Sequence, residues 1–306
     1  MPKTIITAAV TGNIHVPSMS PYLPATPQQI IDDAVKSALA GAAVVHVHAR
    51  EPEEGKPTTS LDVYEEILTG IKARTDAVVC VTTGGTAAMT AEERIAVVSK
   101  YKPEIASFNS GSMNFSLHPI ARTIDEFKYE WEKKYLEGTE NFVFTNHFQM
   151  MGHFCNTMKE CRTLPELEVY DVGMINNAAF LVKEGLLEKP LYIQFVMGIL
   201  GGIPATIDNL LFLYHTAKNQ LGDFNWSVCA AGRHQFPMVV TNMLLGGNVR
   251  VGLEDNLYLK KGVLARGSYE QVEKTARIAN ELGIEVATPA EARKELGLKG
   301  KSAVNY

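Results

Sequence analysis

Short apolar segments alternate with amphipathic segments along almost the whole chain. The apolar segments are rich in valine, isoleucine and leucine, which is typical of buried β-strands. Eight of them are recognisable, at residues 3–10, 44–50, 77–81, 105–109, 167–171, 191–197, 226–230 and 249–252. Between them, apolar residues recur every three or four positions, which predicts helices that each bury one face.

Two of the predicted helices begin with an explicit start signal. Thr26 and Thr90 are suited to be N-caps, and Gln29 and Glu93 lie three residues later, as in a capping box. Gly41 predicts the end of the first helix, because glycine tolerates the left-handed conformation that is common there. The elements therefore alternate between strand and helix from the start of the chain.

Eight consecutive strand–helix units predict an α/β protein of the (β/α)8 TIM-barrel type. Apolar strands that are joined by helices form parallel sheets, and eight units are enough to close a barrel. A doubly wound open sheet is the alternative, although no GxGxxG motif follows the first strand. We expect a single domain over residues 1–306. The alternation breaks at about 117–158, between strands four and five, where we expect an insertion or an elaborated fourth βα unit that contains an amphipathic helix over 120–136.

The composition limits the possible partners. The 306 residues are 46% hydrophobic and 21% charged, with a formal net charge of −5. This balance gives no general attraction to nucleic acid or to an anionic membrane, and no apolar run reaches the roughly 20 residues that cross a bilayer. The four cysteines form no CxxC motif, and Cys80 and Cys229 fall in predicted strands as buried thiols. Since no signal-peptide pattern is visible, we expect a cytoplasmic protein.

The second predicted strand carries two histidines, His46 and His48. Side chains alternate along a strand, so both rings point to the same side, about 7 Å apart. Two histidines on the inward face of a strand need polar partners, and a metal ion would satisfy both. Chance alternation with valines in a half-buried strand is the simpler explanation. A metal site therefore requires further ligands elsewhere in the chain.

The end of the eighth predicted strand supplies such ligands. Arg250, Glu254 and Asp255 cluster there, at the end of the barrel where such enzymes carry their chemistry. These groups are costly to bury unless they pair with one another, as in a salt bridge, or with a metal. A His46, His48 and Glu254 site would bind Zn²⁺, or manganese, iron or cobalt, and would keep one position open for substrate. Asp255 would then be free to act as a base.

Polar side chains also end several other predicted strands. The candidates for contact with substrate are Asn13, Thr82, Ser107, Asn109 and Glu168. His15 and His234 fall in loops at the same end of the barrel, where they could also contact substrate. His118, His153 and His215 lie away from the strand ends, and we expect them to be structural or surface residues.

Several motifs together resemble one known family. They are HVHAREPEEGKP, TTGG, PELEVYD, QFVMGILGG, the GR after the seventh strand, RVGLEDNLYLKKG and ATPAEAR. Outside 117–158 the sequence is similar from end to end to the β-keto acid cleavage enzymes, first defined by the 3-keto-5-aminohexanoate cleavage enzyme of lysine fermentation. The resemblance implies a zinc-dependent barrel that condenses a β-keto acid with acetyl-CoA and cleaves it to acetoacetate and a shortened acyl-CoA. It also implies a homo-oligomer, a tetramer or a dimer.

The resemblance also assigns roles to single residues. It implies that His46, His48 and Glu254 bind the metal, that Asp255 takes the proton and that Arg250 helps to hold the reacting groups. Thr82 lies where the family has a serine that contacts substrate, and Ser107 lies where it has a threonine.

One departure from the family pattern concerns the substrate. The branch that acts on amino substrates resembles TGAE after the first strand, whereas this chain has Ile14 in place of the glutamate. Isoleucine cannot pair with an ammonium group. We therefore expect the variable end of the substrate to be neutral or less cationic.

Two other classes of protein fit part of the pattern. A metal-dependent amidohydrolase, aldolase or lyase could use similar ligands, but amidohydrolases carry further histidines on strands five and six, and LEVYD and LYIQFVM contain none. A lyase or hydrolase that does not use coenzyme A stays open. A non-catalytic, metal-stabilised or ligand-binding barrel is the second class, and an open metal position beside Asp255 argues against it.

Overall fold

In the computed structural model, which describes residues 3–86 and 89–306, eight parallel strands close into one barrel. The strands are β1 Ile6–Ala9, β2 Val44–Val47, β3 Val78–Val81, β4 Ile105–Asn109, β5 Leu164–Val169, β6 Leu191–Met197, β7 Phe224–Ala230 and β8 Asn248–Val251. Neighbours in the barrel follow the order of the chain, and β8 pairs with β1 to close it. The predicted (β/α)8 barrel is confirmed, and the open sheet is wrong.

Helices surround this barrel. They are α1 Pro27–Leu39, α2 Leu61–Arg74, α3 Ala91–Tyr101, α4 His118–Ala121, α5 Glu130–Gly138, α6 Phe148–Glu160, α7 Val172–Lys183, α8 Ile207–Leu221, α9 Gln235–Leu244, α10 Ser268–Glu281 and α11 Pro289–Leu296. Thr26 and Thr90 are the N-caps of α1 and α3, each within a capping box, as predicted. None of the described helices combines the length and apolarity that crossing a bilayer requires.

The strands obey the alternation that the sequence predicts. In β2, Val45 and Val47 belong to the core between the barrel and its helices, whereas Val44 belongs to the core at the amino end of the barrel interior. His46 shares the inward face with Val44, because side chains two positions apart point the same way. The histidines therefore enter the barrel because valines occupy the outward positions.

The stretch between β4 and β5 differs from the prediction. The helix expected over 120–136 is wrong, because the chain forms α4, leaves the helical conformation at 122–129 and starts again as α5. The buried Glu132 explains the new start, since its carboxylate accepts backbone N–H groups of Ser18, Lys128 and Tyr129. Those bonds hold residues 128–129 against the loop after β1 and give α5 its own N-terminus.

The same stretch supplies a wall at the carboxyl end of the barrel. Two short strands, Met113–Asn114 and Val143–Phe144, pair as an antiparallel ribbon. We call residues 113–147 the wall segment. The following α6 contacts α3, β4 and β5, which is the position of the helix in the fourth βα unit. β5 begins at Leu164, three residues before the predicted start. It does so because the backbone N–H of Leu164 donates to the carbonyl of Glu104 at 3.0 Å.

Candidate active site

Two histidine rings meet at the carboxyl end of the barrel. His46 lies in β2 and His48 follows it by two positions. Their Nε2 atoms are 3.1 Å apart, and both side chains are buried. The predicted pair therefore converges on a single point in the barrel interior.

Glu254 joins the pair from the turn after β8. Its Oε1 lies 3.2 Å from Nε2 of His48, and its Oε2 lies 3.5 Å from Nε2 of His46. Gly12, with a φ of +61°, makes this approach possible, because a Cβ there would lie 2.2 Å from Cγ of Glu254. Gly252 has the same effect on the other side, since its Cβ would lie 2.0 Å from the carbonyl oxygen of Ala9. The two glycines thus let the β1 and β8 ends close around the carboxylate.

These three side chains fit a divalent transition metal. Imidazole nitrogens and a carboxylate oxygen are ligands of catalytic zinc. Among the described residues, Oε2 of Glu254 is buried without a hydrogen-bond partner, which is costly unless something else contacts it. Burial lowers the pKa of His46 well below its usual value. Burial opposes ionisation of Glu254, but Arg250 and the two histidines hold its pKa well below the usual range. A neutral imidazole and an ionised carboxylate are the forms that bind metal.

Arg250 holds three carboxylates next to this cluster. Its Nε and Nη2 atoms donate to the two oxygens of Asp255, each at 2.9 Å. Nη2 also donates to Oε1 of Glu254 at 2.7 Å, and Nη1 donates to Oε1 of Glu168 at 3.4 Å. One guanidinium therefore faces three carboxylates, so the salt bridge alone does not balance the local charge.

Asp255 is not free, contrary to the prediction, because both of its oxygens accept hydrogen bonds from Arg250. Burial, together with the charge of Glu254, raises the pKa of Asp255 to about 6 in spite of Arg250. Burial likewise raises the pKa of Glu168 to about 8, and the hydroxyl of Tyr170 donates to its Oε2 at 3.3 Å. Both acids thus titrate near neutral pH, as groups that transfer protons do.

A cavity of about 280 Å³ lies against the cluster, with His48, Glu168 and Glu254 among the residues that line it. Its apolar lining consists mainly of Ile14, Phe115, Leu117, Phe142 and Phe144. All of these except Ile14 belong to the wall segment. Lys56 and Lys134 also line the cavity, and both are exposed.

Most of the predicted substrate residues face this cavity. Asn13, Thr82, Asn109 and Glu168 line it, whereas Ser107 does not. Both polar atoms of the Asn109 side chain are buried with no hydrogen-bond partner among the described residues, so they are available to a ligand. Ser107 instead accepts the backbone N–H of Thr83 at 3.2 Å, and its carbonyl accepts the Thr83 hydroxyl at 2.6 Å. It holds the loop that follows β3.

Comparison with known proteins now decides the family. The sequence model described as beta-keto acid cleavage enzyme matches residues 3–298. The chain belongs to this family. Over 305 residues it is 45% identical to the 3,5-dioxohexanoate:acetyl-CoA acetone transferase of Paraburkholderia graminis, covering 99% of this chain and 98% of that protein. It is 40% identical to the 3-keto-5-aminohexanoate cleavage enzyme of Acetoanaerobium sticklandii, covering 97% and 99%.

A solved structure supports the same fold. The apo structure of ObcA matches with a TM-score of 0.73 at 22% identity, over 91% of this chain and 66% of that chain. The family match confirms the prediction of an enzyme that cleaves β-keto acids with acetyl-CoA, and it disfavours the amidohydrolase, lyase and non-catalytic alternatives.

Two features of this β-keto acid cleavage enzyme were absent from the predicted site. Arg50 is fully buried and binds the loop after β1 through the Thr11 hydroxyl and the carbonyls of Gly12 and His15. Arg50 directly follows the HxHA motif, and this position was the feature of the sequence that could have identified it. A buried polar layer containing Cys80 and Glu166 lies beneath the histidines. Glu166 belongs to the PELEVYD motif, but the sequence gives no sign that it lies beside Cys80.

The other histidines have structural surroundings. His15 is buried and its Nδ1 lies 2.7 Å from the carbonyl of Leu253, so it joins the β1 loop to the β8 turn. His234 accepts a hydrogen bond from Arg233 at 3.3 Å. Neither residue is among those that line the cavity. His118 contacts Ser116, and His153 lies in α6, away from the strand ends as expected.

Proposed function

We propose that this enzyme binds Zn²⁺ through His46, His48 and Glu254. We further propose that it uses acetyl-CoA to cleave a β-keto acid whose variable end is uncharged, such as 3,5-dioxohexanoate. The convergence of two imidazoles and an otherwise unpartnered carboxylate oxygen supports the metal. The name of the relative from Paraburkholderia graminis supports the substrate class.

The lining of the cavity is the observation that carries the substrate assignment. Among the described lining residues, the carboxylates are Glu168 and Glu254, and Arg250 binds both of them. An ammonium group at the variable end would instead meet apolar side chains and two lysines, without a carboxylate to replace its hydration. A ketone or methyl group fits this wall with less loss of solvation.

The reaction exchanges two acyl groups. The bond between C2 and C3 of the β-keto acid breaks, and a new bond joins C2 to the acetyl carbonyl carbon of acetyl-CoA, which yields acetoacetate. The thioester sulfur moves from the acetyl group to the released acyl group. With 3,5-dioxohexanoate the second product would be acetoacetyl-CoA, and atoms and charges balance without an oxidant or reductant.

The side chains of the enzyme have separate parts in this chemistry. A bound Zn²⁺ supplies Lewis-acid polarisation of a carbonyl oxygen. Asp255 accepts the proton from C2, since each of its oxygens keeps a second lone pair beside its bond to Arg250. Arg250 keeps that carboxylate oriented and offsets negative charge that develops on the substrate. Glu168, whose pKa is raised to about 8, can share its proton with an oxyanion that forms during the exchange. When the C2–C3 bond breaks, the proton held by Asp255 returns to C2 of acetoacetate.

Polar side chains around the cavity would orient the substrate. The amide of Asn109 is available to donate to and accept from the substrate carboxylate or carbonyl. The Thr82 hydroxyl accepts from the backbone of Gly84 at 2.9 Å and keeps its own proton for donation. Asn13 lines the same cavity next to Ile14. Ser107 would act indirectly, by fixing the β3 loop.

Charge at the variable end of the substrate tests the assignment. We would measure kcat/KM of the metal-loaded enzyme with acetyl-CoA and 3,5-dioxohexanoate, 3-keto-5-aminohexanoate or 3-oxoadipate. We expect the neutral substrate to react fastest. Ile14→Glu should lower kcat/KM for 3,5-dioxohexanoate. It should raise kcat/KM for 3-keto-5-aminohexanoate by about tenfold or more, since it places a carboxylate at the wall.

The matched control is Ile14→Gln, which has nearly the size of the glutamate variant without its charge. It should not improve turnover of the amino substrate. Faster turnover of the cationic or the anionic acid by the unmodified enzyme would overturn the substrate assignment.

The location, assembly and domain organisation of the enzyme are also proposed. We propose a cytoplasmic homo-oligomer, a tetramer or a dimer, and a single domain whose insertion spans about 117–158. Size-exclusion chromatography with light scattering would measure the assembly. A monomer at the enzyme's working concentration would contradict it.

A further inference from the structure

The metal-facing histidine His46 has a second ring nitrogen, and that nitrogen faces a thiol. Nε2 of His46 points to His48 and Glu254, whereas its Nδ1 lies 3.4 Å from Sγ of Cys80. His46 and Cys80 are register partners on the paired strands β2 and β3. The thiol is therefore held by the barrel itself rather than by a loop.

The thiol continues into a chain of polar groups across the barrel interior. Sγ of Cys80 lies 3.7 Å from Oε2 of Glu166, and the amide of Gln194 donates to the same oxygen at 3.2 Å. The hydroxyl of Ser227 donates to Oε1 of Gln194 at 3.0 Å. All of these side chains are buried with at most 1% exposure. Solvent therefore does not compete for any of these bonds.

The directions of these bonds are determined by the ring. In the proposed site Nε2 of His46 directs its lone pair to the metal, so Nδ1 carries the hydrogen and donates it. Sγ of Cys80 accepts that hydrogen, and its own S–H group then points to Glu166. A ligating histidine usually donates this second N–H to a carboxylate, a carbonyl or water. Here a thiol lies between the histidine and the carboxylate.

We propose that Cys80 is a positioning residue for the metal site, and that Glu166 orients its thiol. Cys80 fixes the tautomer and the ring plane of His46. The inference rests on the proposed metal function of His46, His48 and Glu254. Among the described residues, Nδ1 of His48 has no hydrogen-bond partner. Of the two rings, His46 is therefore the one whose orientation a second hydrogen bond fixes.

A second metal ion is the competing explanation for the same atoms. Ligand atoms of His46, Cys80 and Glu166 all lie within 4.8 Å of one another. Such an ion would have to share the imidazole of His46 with the first ion. The hydrogen-bonded chain explains the contacts without a second charge in the barrel interior, and metal stoichiometry distinguishes the two.

The experiment compares Cys80→Ala with the unmodified enzyme. We would measure zinc affinity by competition with a chromogenic chelator, and the absorption spectrum of the Co²⁺-substituted protein. We expect a 10- to 100-fold loss of affinity, the usual effect of removing such a partner, and an altered Co²⁺ spectrum. Cys80→Ser should lie between the two, because the shorter C–O bond moves the hydroxyl away from both His46 and Glu166.

Cys155→Ala is the matched control. Cys155 is a buried free thiol in α6, and its loss should lower stability without changing the affinity or the spectrum. A merely structural role of Cys80 would behave in the same way. The difference in melting temperature between metal-free and metal-loaded protein should shrink for Cys80→Ala and stay constant for Cys155→Ala.

The outcomes separate this inference from the proposed function. If the unmodified enzyme binds no transition metal, the proposed metal site fails and this inference fails with it. If it binds one ion and Cys80→Ala binds it equally well, only the positioning role is overturned. Two ions per chain, with one lost in Cys80→Ala, would establish the second metal site instead. Should Cys80→Ala fail to fold, Cys80→Ser carries the test with the same readouts.

Discussion

Each end of the barrel pairs an arginine with carboxylates, with different results. At the carboxyl end, Arg250 faces Glu168, Glu254 and Asp255. At the amino end, Arg293 of α11 binds Glu104 through Nε and Nη2 at 2.9–3.1 Å. The side chains of Arg250 and Glu104 are only 3% and 2% exposed, whereas that of Arg293 is 13% exposed. The comparison therefore concerns similar chemistry, with the arginine of the amino end closer to solvent.

The ends differ in what is left unpaired. Both oxygens of Glu104 accept from Arg293, whose remaining Nη1 binds the exposed Asp76 at 3.1 Å. At the carboxyl end, Oε2 of Glu254 has no hydrogen-bond partner among the described residues and lies 3.5 Å from Nε2 of His46. A balanced group holds a fold together, whereas a group with surplus negative charge and an unsatisfied acceptor oxygen can bind a cation.

Removing the carboxylate should lower activity at the carboxyl end of the barrel and stability at the amino end. Glu254→Gln takes a ligand from the proposed metal site, so we expect loss of bound zinc and at least about a 10³-fold drop in kcat/KM, from losing several kcal/mol of transition-state stabilisation. Metal analysis of the purified variant, together with the acetoacetate assay, measures both. Full turnover with stoichiometric zinc would remove Glu254 from the site.

Glu104→Gln is the matched change at the amino end. It should leave zinc content and turnover intact and lower the free energy of unfolding by about 2 kcal/mol, because Arg293 loses a charged partner. Urea denaturation measures this loss. A drop in activity without a drop in stability would show that the two ends are coupled and that the comparison is too simple.

A loss of activity without loss of zinc is expected at the carboxylate that does not face the histidines. Asp255→Asn should retain zinc but lose about 10²- to 10⁴-fold in kcat, since the proposed base is gone. Its counterpart is Asp76→Asn, which should change neither activity nor stability by more than about 0.5 kcal/mol because that carboxylate is exposed. Loss of zinc from Asp255→Asn would mean that this carboxylate serves the metal rather than the proton.

The grouping of these site residues could be predicted from the sequence because they lie in two short stretches of the chain. His46 and His48 share a strand face, and Arg250, Glu254 and Asp255 follow one another at a strand end. The barrel rule then brings both groups to the same end of the molecule. What the sequence did not reveal is that Asp255 is already bound by Arg250 in this structure, because that depends on the geometry of the turn after β8.

The wall of the cavity could not be predicted in the same way. Phe115 and Phe144 meet at 5.9 Å only because two short strands, 113–114 and 143–144, pair across thirty residues. The break before α5 depends on the contact of Glu132 with Ser18, 114 positions away. Likewise, the contact between Cys80 and Glu166 joins β3 to β5 across the barrel interior, between residues 86 positions apart. Local periodicity carries no information about such long-range pairs.

A pH-dependent effect on stability is expected from a buried histidine at the carboxyl end. Burial, reinforced by the charge of Arg50, lowers the pKa of His15 to about 4, even though the carbonyl of Leu253 favours the charged ring. The unfolded chain binds this proton at a pKa of about 6.5. The contribution of His15 to stability is therefore complete above pH 6.5 and is lost as the pH falls towards 4.

His15→Asn isolates this contribution, because its amide can still donate to the carbonyl of Leu253 and does not titrate. Both proteins are compared without metal. The free energy of unfolding of His15→Asn, relative to that of the unmodified protein, should rise by about 2 kcal/mol as the pH falls from 7.5 to 5. Urea denaturation of both proteins at the two pH values measures that difference. Glu104→Gln, at the amino end, should lose the same stability at both pH values. A constant difference for His15→Asn would show that the buried ring does not set the acid sensitivity of this end.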